Sequence, residues 1–190
     1  MLKLPQILTI LLITLTISHP FNSLGQSMQV PSEIEQYIHA SNFIASLSTP
    51  DEWFTLSGFE TAEDVFEHTG SERLKKVFSY AHFLNTLEIE IGSGITVPMS
   101  KTRKFSGLGG IHQIEDIQYQ NDGSELLLNV VVYRLDKETI THFISAYEQN
   151  DKPPEIKLPS TTRPEYIVQT WVKVNGSWKK KAADFHFLEQ

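Results

Sequence analysis

Asp184 and His186 stand two apart in "AADFHFLEQ", and on a strand that spacing sends both side chains to one face. A carboxylate so placed can orient an imidazole, the arrangement a general acid–base needs. Their alternation with Phe185 and Phe187 is also what a half-buried strand produces when its polar residues face water. His112 and Asp116, four apart in "IHQIEDIQYQ", would likewise share a face if extended. An acid–base pocket would bring Asp184 and His186 together with His112 or Tyr133.

Other chemistries find less support. The histidines, at 19, 39, 68, 82, 112, 142 and 186, form no H-x-H or H-x-x-x-H pair, and there is no cysteine, so no metal-ligand spacing is present. "KFSGLGGIH", near Lys101, Arg103 and Lys104, suggests a phosphate loop. A G-x-G-x-x-G pattern would need glycine where His112 stands, and these glycines lead into a strand rather than a helix. No G-x-S-x-G occurs to present a serine nucleophile. No cofactor is expected.

The opening "MLKLPQILTILLITLTISHPFNSLGQS" carries Lys3, then an apolar and threonine run from Leu4 to Ile17, then Pro20. That is the order of an export signal, and 14 residues fall short of the roughly 20 that span a bilayer. The small residues Ser23 and Gly25 predict cleavage after Gly25, leaving a single domain over 26–190; an uncleaved anchor is the alternative. The expected product is secreted or periplasmic, with no stable membrane insertion. Without cysteine, neither a disulfide nor a lipidated cysteine can form. With Lys3 removed from the 16 basic residues, 15 face 23 acidic ones, a net charge of −8 with neutral histidines. That balance argues against nucleic acid or anionic membranes as partners.

The elements that must position these residues read as helices first and strands after. Ser32, following Pro31, suits an N-cap, and Ile34, Tyr37, Ile38, Ser41, Phe43, Ile44 and Leu47 keep helical spacing. A helix is expected over 33–48, stopped by Thr49-Pro50. "TPDEWFTLSG" gives a short second helix closed by Gly58. "TAEDVFEHTG" gives a third, with Thr61 and Asp64 as capping box and Gly70 at its end. "SERLKKVFSYAHFLNTLEIEIG" begins as helix behind Ser71 and turns to strand near 83–85, where apolar and acidic residues start to alternate.

Residues 92–110, holding five of the ten glycines, read as the longest loop. Leu126 to Val132, apolar on both faces, predict a central strand entered through the turn Asn121-Asp122-Gly123. Ile140, Phe143, Ile144 and Tyr147 behind Asp136 predict a helix over 137–149, although its threonines and isoleucines also fit a strand. "DKPPEIKLPSTTRP" is a connector with four prolines.

"EYIVQTWVKV" and "SWKKKAADFHFLEQ" are joined by Asn175-Gly176, which supplies the two positive-φ positions of a type I′ turn. The implied register pairs Val174 with Ser177, Lys173 with Trp178, Val172 with Lys179 and Trp171 with Lys180. Tyr166, Val168, Thr170, Val172 and Val174 then share one face, and Ile167, Gln169, Trp171 and Lys173 the other. The hairpin is amphipathic and its apolar face needs cover. Lys179, Lys180 and Lys181 read as a solvated edge strand whose charges discourage aggregation. In a eukaryotic protein Asn175-Gly176-Ser177 would also form a glycosylation acceptor.

This order of elements, with Trp171, Lys173, Asn175, Gly176, Trp178 and Lys179 at the hairpin, resembles the nuclear-transport-factor-2-like superfamily, also called cystatin-like or polyketide-cyclase-like. There the penultimate strand often ends in Trp-x-Lys-x-(Asn/Asp)-Gly before a strand opening with Trp-Lys. The resemblance implies an α+β cone: N-terminal helices packed on a curved, mainly antiparallel sheet that ends in a C-terminal hairpin, with an apolar cavity between the layers. The helix around Phe143 and the proline-rich connector go beyond the compact family pattern. That fold hosts isomerases, dehydratases, cyclases and transport factors. With an aromatic-rich chain and no persuasive catalytic set, the expected function is a non-enzymatic binding or assembly module for an apolar small molecule, a lipid or a partner protein. The cavity or the open sheet face would serve, and a second copy could pack on that face as a homodimer. The alternative is a small isomerase or hydrolase using Asp184, His186 and His112.

Overall fold

Short-range signals set the helix ends in the computed structural model, which describes residues 29–101, 110–150 and 164–182. Four helices come first: α1 (Ser32–Leu47), α2 (Pro50–Leu56), α3 (Ala62–Thr69) and α4 (Glu72–Thr86). Thr49 and Thr61 each close a capping box with the residue three on, Glu52 and Asp64. Gly70 ends α3 at φ 66°, and the Ser71 side chain accepts from the Leu74 N–H to open α4. Ser32 is not a cap. Pro31 holds that position without a side-chain bond, and Ser32 is the first helical residue, its Oγ donating to Glu33 at 3.1 Å. Helix α4 runs to Thr86, slightly past the expected switch.

The strands are β1 (Glu88–Gly92), β2 (Ile95–Pro98), β3 (Ile111–Gln120), β4 (Glu125–Tyr133), β5 (Pro164–Val174) and β6 (Ser177–Lys181), with α5 (Lys137–Asn150) between β4 and β5. The fold is α+β. The sheet is open, curved and ordered β2-β1-β6-β5-β4-β3. Every neighbouring pair is antiparallel except β1 with β6, which is parallel. The β5–β6 register is the one the Asn-Gly turn dictates. The 137–149 segment is helix, held at its start by Asp136 Oδ1, which accepts from the Thr139 N–H at 2.7 Å.

Three expectations are corrected. The stretch 92–110 is not all loop, because β2 and a single turn at Met99–Lys101 lie in it; Ser93 and Gly94 make a positive-φ turn and the β-branched Ile95-Thr96-Val97 pairs back on β1. The triple lysine is not on an edge strand, since β6 lies between β1 and β5. The hairpin face that is covered is the mixed one. Gln169, Trp171, Trp178 and Lys180 are buried, while Tyr166 and Val168 on the other face are 72% and 55% exposed. Two tryptophans carry more apolar area than the valines opposite, so they go inside.

Helix α1 is the centre of the molecule, buried on nearly every side, as befits a helix with apolar residues all round. One side packs with the sheet, where Ile34, Tyr37 and Ile44 meet Leu126, Leu128, Val130 and Trp171. The other joins Phe43 and Leu47 to Leu56, Val65, Val77, Phe143 and Tyr147 of the remaining helices. Arg73 of α4 secures that second layer. Its guanidinium donates to the Leu47 carbonyl at 2.6 Å, to Glu52 at 2.6 Å and to Glu148 at 3.3 Å. Among the described residues no helix is long and apolar enough to cross a membrane.

Candidate functional site

Two hydrogen-bonded contacts show how α1 lies on the sheet. Near its start, Glu33 Oε1 accepts from the Trp178 N–H of β6 at 3.4 Å. Further along, the Asn42 carboxamide bonds the His112 backbone of β3, accepting at 2.7 Å and donating at 2.9 Å. Nine helical residues rise about 13 Å, and three steps between strands, from β6 to β3, span about 14 Å. The helix therefore crosses the strands, and residues between Glu33 and Asn42 meet side chains from several of them.

Tyr37 is the meeting point. Its ring lies 5.4 Å from the Trp171 ring of β5 and 6.4 Å from the His112 ring of β3, edge to face in both cases. From β6, Lys180 places its Nζ 5.1 Å from the Tyr37 ring centre and donates to Tyr37 Oη at 3.4 Å. Ser41 stands one turn further along the same helix. Gln169, two residues before Trp171 and so on the same side of β5, accepts from the indole N–H at 3.3 Å. Gly110 lets the chain enter β3 against Tyr133, since a Cβ there would run into the Tyr133 carbonyl.

This group is buried and polar, and its hydrogen bonding is incomplete. Among the described residues the buried side-chain atoms with no hydrogen-bond partner are Ser41 Oγ, His112 Nδ1 and Gln169 Nε2, on residues that lie one turn from Tyr37, against its ring and bonded to Trp171 in turn. Native interiors satisfy most such atoms, so each of the three marks a place for a water, an ion or a small molecule. Burial, seconded by the positive charge of Lys180, lowers the His112 pKa to about 4, and a hydrogen bond to the Gly110 backbone opposes the shift. The imidazole is neutral at physiological pH.

Of the residues that spacing put together for acid–base work, His112, Asp116 and Tyr133 do not share a face. A bulge between Ile114 and Asp116 shifts the β3 register, so His112 faces inward beside Val132 while Asp116 turns outward and accepts from Gln118 and Asn129. Tyr133, next to Val132 in β4, alternates to the face opposite His112. Asp184 and His186 lie outside the described residues, as do Arg103, Lys104 and the export segment. No three His, Cys, Asp or Glu side chains gather to hold a metal among the described residues. A shallow groove runs along one side of α5, lined among the described residues by Lys137, Glu138, Thr141, His142 and Ser145.

Tyr37, Ser41, Gln169 and Lys180 escaped the reading by motif. The signal for Lys180 was nonetheless present, because the hairpin register sets it opposite Trp171 and apart from Lys179 and Lys181. Those two face outward to Glu88 at 2.9 Å and Glu125 at 3.3 Å. No family model, curated protein or solved structure matches the chain.

Proposed function

We propose that this is an exported, non-enzymatic binding protein that holds a small organic molecule against the inner face of the sheet, around Tyr37. The observation that carries the reading is that Ser41 Oγ, His112 Nδ1 and Gln169 Nε2 are buried without partners, with the His112 ring beside Tyr37 and Gln169 bonded to Trp171. Apolar walls with a few convergent polar groups are the usual make-up of a ligand site. The helices-then-sheet order and the Trp-Lys hairpin support membership of the nuclear-transport-factor-2-like superfamily. The enzymatic alternative rests on Asp184 and His186, which lie outside the described residues, while His112 Nδ1 has no hydrogen-bond partner.

The test is native mass spectrometry of the protein purified from its host, compared with Gln169→Leu. The reading expects a small-molecule adduct on the parent that the variant loses. Leucine also leaves the buried Trp171 indole N–H without its acceptor, at a cost of about 1–3 kcal/mol, so loss of the adduct counts where the variant is shown to be folded at the temperature of the measurement. A bare parent mass would make the buried polar group a structural element and end the proposal.

A further inference from the structure

Asn175 is the one asparagine of the chain that a glycine follows, and it stands exposed at the tip of the β5–β6 hairpin. An asparagine carboxamide is open to attack by the backbone nitrogen of the next residue, and crowding around that nitrogen is what slows the attack. Gly176 has no side chain to crowd it. A Cβ built there would meet nothing within 4 Å, so the turn has room on that side for the ring that such an attack forms.

The other asparagines of the described residues are held differently. Asn42 is clamped to the His112 backbone, Asn121 donates to Glu125 at 2.6 Å, Asn129 to Asp116 at 3.3 Å and Asn150 to the Ala146 carbonyl at 3.0 Å. Asn85 precedes the β-branched Thr86. The Asn175 carboxamide has no such hydrogen bond among the described residues, and its backbone belongs to a turn whose two residues both sit at positive φ, 50° and 84°.

We infer that Asn175 is a site of spontaneous modification by water, and that its two products act oppositely on the hairpin. The Gly176 nitrogen bonds to Asn175 Cγ and its proton leaves with the departing ammonia, which closes a five-membered succinimide. Water then opens the ring at either carbonyl. Nothing is oxidised or reduced: amide and water give acid and ammonia. Opening at Cγ gives aspartate and restores the ordinary backbone. Opening at the Asn175 main-chain carbonyl gives isoaspartate, in which the chain runs through Cβ and Cγ and is one carbon longer.

Aspartate, like asparagine, is among the side chains most often found at positive φ, so it keeps the turn. Isoaspartate does not. A two-residue type I′ loop matches the twist of its strands at its own backbone length, and an added carbon displaces the pairs that follow it, from Val174 with Ser177 to Trp171 with Lys180. Trp171 and Trp178 are buried in that register, so a change at the exposed tip is felt in the core.

The test is to incubate the full chain in mildly alkaline buffer and map its peptides by mass spectrometry, with a urea-unfolded sample run alongside to time the reaction. The peptide holding Asn175 should lose its amide ahead of every other asparagine peptide and yield two acidic products of equal mass. The isoaspartate fraction, separated by chromatography, should melt a few degrees or more below the fresh protein, whereas Asn175→Asp should melt with the fresh protein. Retention of the Asn175 amide in the folded chain at a time when the unfolded sample has lost it would overturn the site. An isoaspartate fraction that melts with the fresh protein would overturn the coupling to the hairpin. An Asn175→Asp protein that melts as low as that fraction would overturn the difference between the two products.

Discussion

Asn42 treats the backbone of His112 as a neighbouring strand would, accepting from its N–H at 2.7 Å and donating to its carbonyl at 2.9 Å. Strand β3 is the outer strand of the sheet, and edge strands leave such groups unpaired. One helical side chain supplies both partners. It thereby fixes the height at which the His112 ring enters the layer under α1, and so its distance from Tyr37.

Asn42→Leu keeps the bulk and removes both bonds. An unpaired buried backbone group costs about 1–3 kcal/mol, so the variant should lose at least about 2 kcal/mol, seen in thermal melting as a drop of roughly 5 °C or more. Asn42→Asp, which retains an acceptor for the N–H and sets an oxygen against the carbonyl, should also melt below the parent. A leucine variant that melts with the parent would show that the clamp contributes nothing.

His112 makes stability depend on pH in a defined window. Its folded pKa, about 4, lies below the ordinary 6.5, through burial first and the Lys180 charge second. The unfolded chain therefore takes up the proton more readily than the folded one. The contribution is complete above about pH 6.5 and is lost as pH falls from there toward 4, by about 3 kcal/mol over the full window. Urea unfolding between about pH 7 and pH 4 should show this slope, and His112→Phe should flatten it. Parallel slopes in both proteins would remove His112 as the cause.

Gly176 sits at φ 84° beside Asn175 at φ 50°. A Cβ at Gly176 would meet nothing within 4 Å, so the cost of Gly176→Val is one of backbone conformation, about 1–2 kcal/mol. Melting should fall by a few degrees, while affinity measured well below the melting temperature stays as it was. A variant that melts like the parent yet has lost its ligand would place the turn in the binding site.

How far the fold could be read from the residues depended on how local the determinant was. Asn175-Gly176 dictates the hairpin register through two backbone angles, and Thr61 with Asp64 closes α3 within four residues, so both were legible. The bulge at Glu115 was not. It arises from the fit of β3 on β4 and carries no glycine or proline to mark it, yet it sends His112 and Asp116 to opposite faces. Lys179, Lys180 and Lys181 look like an edge until β1 is known to lie beside them, a fact of topology that no nearby residue records. The site around Tyr37 is legible only in part for the same reason: its members come from α1, β3, β5 and β6, and only the crossing of α1 brings them together.

The parallel contact of β1 with β6 bears on how the molecule is assembled. Ile89 and Lys180, which face each other there, are nearly half the chain apart, and synthesis delivers the early one long before the late one. Until residues 177–181 emerge, β1 and β2 form an isolated two-stranded ribbon, marginal in water, and β3, β4 and β5 form a separate sheet. Strand β6 works as a keystone: without it the two pieces share no ladder, and the same insertion that joins them carries Lys180 to Tyr37. Closure of the sheet and completion of the buried polar group are thus a single late event, and a chain stopped short of that strand would have neither.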